Sequence, residues 1–399
     1  MSATRDDNTR REPSRGARVS VQTAAFTWGL QFAFLNPALA LLLSTQLHAT
    51  DAQVGLALAL YNASGFVASL IIPGWADRRR TYLNWMLVCG FLTLALAGVL
   101  AVSGSLSVAI VALIVLGGPA GVGSSLFFAH LRSAGFGPSD ILSTRAMVSV
   151  AWVAGPPVAM LLAGWIGTRA VLAAIVVISL VGMGAILGMR RHGKESPASA
   201  RTADDPSVPI SKVRIAVIVT AFVALQATNA TASSIMTLFT VNSLHLNAIW
   251  GGVALGVAAL AEVPALMLLG RLTPRFGQVP LLLVGCVVGI LFYVLMAIVH
   301  DPVTLIAAQL LNAWFFATVT GIGLTLFQDI IPRPGLASGL FTNTRRIGAV
   351  VAGGVIAIAG TSLGFPGVFT ACAILTALAL MLVIIVWRSI RIRQKVQET

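Results

Sequence analysis

Between Trp250 and Leu269 the sequence carries a single charge, Glu262, in a run otherwise built of apolar and small residues. It stands eight residues before Gly270. At 1.5 Å per residue that is about 12 Å of helix, so a helix crossing a bilayer holds it near mid-depth. An ionised group there costs roughly 2.5–3.5 kcal/mol on insertion scales. The expectation is therefore a carboxyl facing a water-filled cavity, able to bind a proton from one side and release it to the other. The plainer alternative is a protonated carboxyl bonded between helices. Arg145 and Arg345 are the second chemical feature: each follows a threonine, and they lie 200 positions apart. They can snorkel to the headgroups, or line one mouth of a cavity, where they would bond a substrate or pair with Asp329. A third feature is a set of polar residues at helical spacing. Trp28 with Gln31, Gln226 with Asn229, and Gln309 with Asn312 are each three apart, which puts them side by side on a helix face. Asn62, Trp152 and Asn343 join this set. Amides and aromatic faces are what bind sugar hydroxyls and C–H surfaces; any one amide can equally be interhelical glue.

The elements that must position these residues are membrane helices. Apolar residues make up 57% of the 399, and charged residues only 10%, where a soluble domain carries about 25%. The stretch Gly121-Val122-Gly123-Ser124-Ser125-Leu126-Phe127 returns as Gly321-Ile322-Gly323-Leu324-Thr325-Leu326-Phe327, again at an offset of 200. A duplicated unit of about half the chain is the arrangement of secondary transporters. Spans are expected at 21–44, 53–73, 82–103, 106–131, 141–163, 168–189, 213–240, 249–270, 279–299, 303–328, 336–360 and 365–387. The fold expected is all-α, with twelve transmembrane helices in two six-helix bundles. Residues 1–20 form a disordered cytoplasmic tail, 21–189 the first bundle, 190–212 a cytoplasmic linker, 213–387 the second bundle and 388–399 a second tail. The cations set the orientation. Arg5, Arg10, Arg11, Arg15, Arg18, Arg78, Arg79, Arg80, Arg132, the six in 190–214, Arg271, Arg275, Arg333 and the C-terminal four fall on one side, against Arg169 on the other. The positive-inside rule then places both termini in the cytoplasm of a multi-pass protein of the cell membrane.

Other classes are excluded by what these residues do not form. The net charge of +13 sits at alternate ends of apolar runs, not on a basic patch, so no nucleic-acid partner is expected. Cys89, Cys286 and Cys372 lie inside apolar runs and make no disulfide framework. The five histidines are scattered, no P-loop occurs, and no soluble segment is large enough for a nucleotide domain. The chain is not expected to be an enzyme or to carry a cofactor or metal; a proton gradient is the expected energy source.

The connection Pro73-Gly74-Trp75-Ala76-Asp77-Arg78-Arg79-Arg80, and its counterpart Gly270-Arg271-Leu272-Thr273-Pro274-Arg275-Phe276-Gly277, resemble the G-x-L-x-D-R-x-G-R loop of the major facilitator superfamily. The first copy departs from it. Gly74 stands one position late, and Arg80 replaces a glycine where a tight turn favours one. The resemblance implies a latch at Asp77 and Arg78, with Arg275 in the second copy and Asp329 and Arg345 at the same mouth. A carboxylate is favoured at a helix N-terminus, which suits Asp77. Gly155-Pro156-Pro157 resembles the Gly-Pro motif that antiporters of the superfamily carry in their fifth span. Arg145, Ala151-Trp152-Val153, Glu262-Val263-Pro264, Phe327-Gln328-Asp329 and Leu340-Phe341-Thr342-Asn343 fall in the order found in the sugar efflux transporter family, over about residues 20–390. That resemblance implies export of sugars or glycosides by alternating access, driven by proton entry, in a protein that is commonly a monomer. About 2.3 kcal/mol per charge per 100 mV would sustain roughly fiftyfold accumulation. The alternatives are a multidrug or amphipathic-metabolite exporter of the same fold, a proton-coupled sugar uptake permease, or a membrane receptor without transport.

Overall fold

The structure, a computed structural model, describes residues 15–192, 211–247 and 249–398. It is helical almost throughout. The helices are α1 (Arg15–Thr45), α2 (Asp51–Arg79), α3 (Tyr82–Val102), α4 (Leu106–Ser133), α5 (Pro138–Trp165), α6 (Thr168–His192), α7 (Lys212–Asn242), α8 (Ile249–Phe276), α9 (Gln278–Ile298) and α10 (Pro302–Ile330). A last helical stretch, Pro334–Glu398, breaks at Gly364, whose φ of 65° and ψ of −167° are not helical. It divides into α11 (334–363) and α12 (364–398). Among the described residues ten helices, α2 to α10 and α12, are long and apolar enough to cross a membrane.

Local chemistry sets the ends. Thr50 and Gln53 form a capping box at α2, and Asp301 accepts a hydrogen bond from the Thr304 N–H (2.9 Å) ahead of Pro302 at the start of α10. Helix α2 ends on Arg80 in the left-handed region (φ 51°), the position where the superfamily loop has a glycine. The tight turn is thus made without glycine, at a backbone cost of roughly 1–2 kcal/mol. In the second copy Gly277 also has a positive φ, 77°, but its ψ of 167° lies outside the left-handed helical region.

Some expected boundaries shift. The tail expected over 1–20 is helical from Arg15, and the tail expected over 388–399 continues as helix through Glu398. Residues 1–14 and 193–210, most of the expected tail and linker, lie outside the described residues.

Two π-helical turns interrupt otherwise regular helices. In α4 Leu113–Gly117 closes with the Gly118 N–H on the Leu113 carbonyl; in α10 Thr318–Ile322 closes with the Gly323 N–H on the Thr318 carbonyl. Such turns are rare and concentrate at functional positions.

Packing links the two repeats along α5 with α8 and α2 with α11. Glycines permit the closest approaches. A Cβ on Gly155 would run into Ala33 of α1, and one on Gly348 would meet the backbone of Gln226 and Ala227 in α7.

Candidate functional site

Glu262 is 6% exposed, and its carboxyl accepts a hydrogen bond from Thr320 Oγ1 at 3.4 Å. The π-helical turn of α10 is what carries Thr320 to this place. From α5 come Arg145, Ser149 and Trp152. Spacings of four and three put them on one face of that helix. Arg145 and the Ser149 hydroxyl both interact with Glu262. Arg345 of α11 completes the group. Its guanidinium lies over the ring of Trp152, 5.2 Å from the centroid, and within electrostatic range of Glu262 and Arg145. Neither arginine forms an ion pair with Glu262 within 4.0 Å. Arg345 is exposed although it lies deep among helices from both repeats, and Trp152 is half-buried, so both border open space. The site thus holds one carboxyl, two guanidiniums, two hydroxyls and one aromatic face, gathered from α5, α8, α10 and α11.

A third guanidinium lies behind it. Arg346 points across to α2 and α4, where a Cβ on Gly65 would collide with it; it donates to Asn343 Oδ1 at 3.5 Å and faces Tyr61. Tyr61, Gln31, Thr93 and Gly121 line a narrow, mainly apolar cleft inside the first repeat.

The amides predicted as a set separate in space. Gln31 donates to Ser179 Oγ at 3.0 Å, tying α1 to α6. Gln309 donates to the Leu305 carbonyl (3.2 Å), and Asn312 donates to Gln309 Oε1 (3.2 Å); both are buried within the second repeat. Asn62 is exposed and returns to the Leu58 carbonyl of its own helix at 2.9 Å. Gln226 is buried beside Gly348, and Asn229 one turn on is half-buried. Trp28 is 3% exposed with its ring laid against Gly123, so it is packed core and not an open platform. Of the predicted substrate-binding residues, only Arg145 and Trp152 meet around Glu262.

A second cluster closes one end of the molecule. Asp77 accepts hydrogen bonds from the backbone N–H groups of Gly335 (2.7 Å) and Leu336 (2.9 Å), at the N-terminus of α11, and from the Tyr82 hydroxyl. A carboxylate there is aligned with the helix dipole. Two turns away Asn343 accepts from Ser69 Oγ (2.7 Å) and donates to the Phe66 carbonyl (3.2 Å). Ser125 bonds Thr342 at 2.9 Å, and Gln328 donates to the Phe128 carbonyl at 3.0 Å. Asp329 pairs with Arg132 and accepts from Gln278 at 2.7 Å, so its partner is not Arg145 or Arg345. Arg78 and Arg275 are exposed and form no ion pair among the described residues. Except for the Gln278 and Tyr82 bonds, each of these contacts runs from the first repeat to the second.

Sequence reasoning missed Ser149, Thr320 and Tyr61. A signal for Ser149 was present in its spacing from Arg145 and Trp152. None existed for Thr320, because a π turn leaves no mark in hydrophobic periodicity.

Residues 23–352, and again 259–398, match the Major Facilitator Superfamily. The chain belongs to that superfamily. It is a multi-pass membrane transporter and not an enzyme. Sugar efflux transporter A of Dickeya chrysanthemi is 32% identical over 341 residues, covering 84% of this chain and 86% of that protein. Sugar efflux transporter B of Salmonella typhimurium is 29% identical over 352 residues, covering 86% and 89%. Among solved structures, a bacterial homologue of the iron transporter ferroportin in an outward-facing state superposes with a TM-score of 0.76 at 15% identity, covering 93% of this chain and 99% of that one. The human organic anion transporter MFSD10 (TETRAN) gives 0.72 at 18%, covering 94% and 100%. These two likenesses are of fold.

Proposed function

We propose that this protein exports sugars or sugar-like small solutes from the cell by alternating access, in exchange for protons. The observation that carries the reading is the buried Glu262 set between guanidiniums of the two repeats beside a half-open Trp152. Its likeness to sugar efflux transporters supplies the solute class. Helices α1 and α11 join the ten apolar helices to make twelve spans, as bundles 21–189 and 213–387. The cation-rich ends lie in the cytoplasm, so the end closed by Asp77, Asn343 and Asp329 is the cytoplasmic one. The protein lies in the cell membrane as a monomer with both termini inside.

In this cycle the cytoplasmic contacts hold the carrier open to the outside. Glu262 takes a proton there, the bundles rock, and the proton leaves inside as a sugar binds. Asp77 on the α11 N-terminus and the Arg132–Asp329 pair act as the latch.

Proteoliposomes test this directly. Vesicles carrying the protein and labelled glucose, lactose or methyl β-D-galactopyranoside should move at least one of them against its gradient when an opposing pH gradient is imposed. Glu262→Gln, with an unchanged thermal unfolding profile, should leave sugar exchange independent of pH gradient. Failure of all three sugars to move would remove the sugar reading, and unchanged coupling in Glu262→Gln would remove the proton site.

A further inference from the structure

We propose that Arg345 couples solute to proton: it covers the face of Trp152 when no sugar is bound, and a sugar taking that face moves its guanidinium onto Glu262, whose proton then leaves. The proposal rests on the sugar-export reading above and explains how sugar and proton would exclude each other at separate atoms.

Four observations lead to it. First, Trp152 offers a half-open aromatic face at the site, and sugars lay their C–H surfaces on such faces. That face is already occupied by a cation of the protein itself, at 5.2 Å. Cation–π contacts at water-accessible positions are weak enough for a ligand to displace. Second, Glu262 lies within reach of the displaced group. Its partner Ser149 precedes Trp152 by three residues on α5, roughly 4.5 Å along the helix axis, a distance that rotation about the side-chain bonds of an arginine spans. Third, the ion pair that would form is not made in this state, although Arg345 and Glu262 are already in electrostatic range. Fourth, Arg345 has like charges near it in Arg145 and in Arg346, the latter held by Asn343 and facing Tyr61, and Glu262 is the opposite charge within its range.

The charged groups around Glu262 are Arg145 from α5 and Arg345 from α11; Ser149 and Thr320 bring hydroxyls from α5 and α10. Arg145 stays on the same helix face in both states. Arg345 is therefore the cation whose position depends on Trp152. The step balances simply. The O–H bond of the Glu262 carboxylic acid breaks, the proton passes to cavity water, and the carboxylate left behind pairs with Arg345. An opposite charge beside a carboxyl favours its ionised form. When the sugar leaves, Arg345 returns to Trp152 and Glu262 takes up a proton again.

Calorimetry of purified protein in detergent, in two buffers of different ionisation enthalpy, counts the protons released as lactose or methyl β-D-galactopyranoside binds. Wild type should release a proton for each sugar bound at pH values where Glu262 is protonated. Arg345→Gln should bind sugar at least as tightly, its platform being vacant, and release none. Binding with undiminished proton release in Arg345→Gln would overturn the proposal and leave sugar export standing. Trp152→Phe guards against a variant that does not fold. Phenylalanine holds a cation less well than tryptophan, so Arg345 would rest on Glu262 more often without sugar. The pH profile of proton release should then move to lower pH, a change that a packing role would not produce. An unmoved profile would also overturn the coupling. Absence of binding by either sugar to wild type, together with no sugar movement in vesicles, would sink the export reading itself.

Discussion

The two π-helical turns lie in corresponding helices, the second starting five positions beyond the 200-residue offset, and they serve different ends. In α4 the Ile114 carbonyl accepts a hydrogen bond from Ser64 of α2, while 200 positions later the Trp314 carbonyl of α10 accepts from Thr318 of its own helix, at 2.8 Å. The first turn is thus tied to a neighbour, and Gly118 packs directly on Ser64 and the Gly65 backbone. The second is satisfied internally, and its next threonine, Thr320, is free to meet Glu262. One turn is thus a staple between helices, and the other holds the hydroxyl that meets the Glu262 carboxyl.

Substitutions can separate those two uses. The largest effect is expected at Gly118→Ala, whose Cβ would stand 2.7 Å from the Gly65 nitrogen. Overpacking of this kind costs about 1–3 kcal/mol. Thermal unfolding in detergent should fall accordingly, while the pH dependence of transport by the surviving folded protein stays unchanged. Thr320→Val is the mirror experiment. It keeps volume and removes the hydroxyl from Glu262, and one hydrogen bond to a charged group is worth about 1.5–3 kcal/mol. Proton-coupled flux should drop roughly tenfold or more, beyond what any accompanying fall in unfolding temperature accounts for; a variant that loses stability but keeps its coupling would erase the distinction between the turns. Ser64→Ala should cost a smaller amount, about 0.5–1.5 kcal/mol of stability, and leave coupling alone.

The smallest effect belongs to the helix starts. Asp301 opens α10, and its counterpart Ser105 opens α4 with no side-chain cap. The Thr304 hydroxyl, and then its backbone N–H, hold the Asp301 carboxyl below the ordinary carboxylate range. A group depressed in this way stabilises the fold above its unfolded value, about 3.9, and that contribution is lost as pH falls through the lower folded value. Asp301→Asn keeps a good cap and removes the titration. Its melting temperature should therefore decline less than that of wild type between about pH 5 and pH 2, and equal declines would remove Asp301 from the acid response.

Much of this was legible in the residues, and the rest was hidden for definite reasons. The 200-residue offset exposed the duplication, and the lone charge at Glu262 marked the site because a buried carboxyl is costly in lipid. The same offset marked Arg145 and Arg345 as a pair but did not show that both face the carboxyl. Asp77 was readable as a helix-terminus carboxylate, although the helix it caps begins more than 250 residues later. The amides misled: a spacing of three says that Gln309 and Asn312 share a face, not that the face meets a cavity. Asn343 is a strap between repeats because Ser69 happens to meet it, and no local pattern encodes that.

The seam between α2 and α11 includes two positions, Gly335 and Gly339, where α11 has no side chain. A Cβ on Gly335 would strike Asp77 and the Pro73 carbonyl, and a Cβ on Gly339 would strike the Ser69 carbonyl. At these two points α11 presents bare backbone to α2, so close approach there needs no interlocking of side chains from α11. In the proposed cycle such a surface would work as a bearing: parting it would break a few hydrogen bonds at Asp77 and Asn343. A single methyl group at Gly339 would turn that bearing into a wedge.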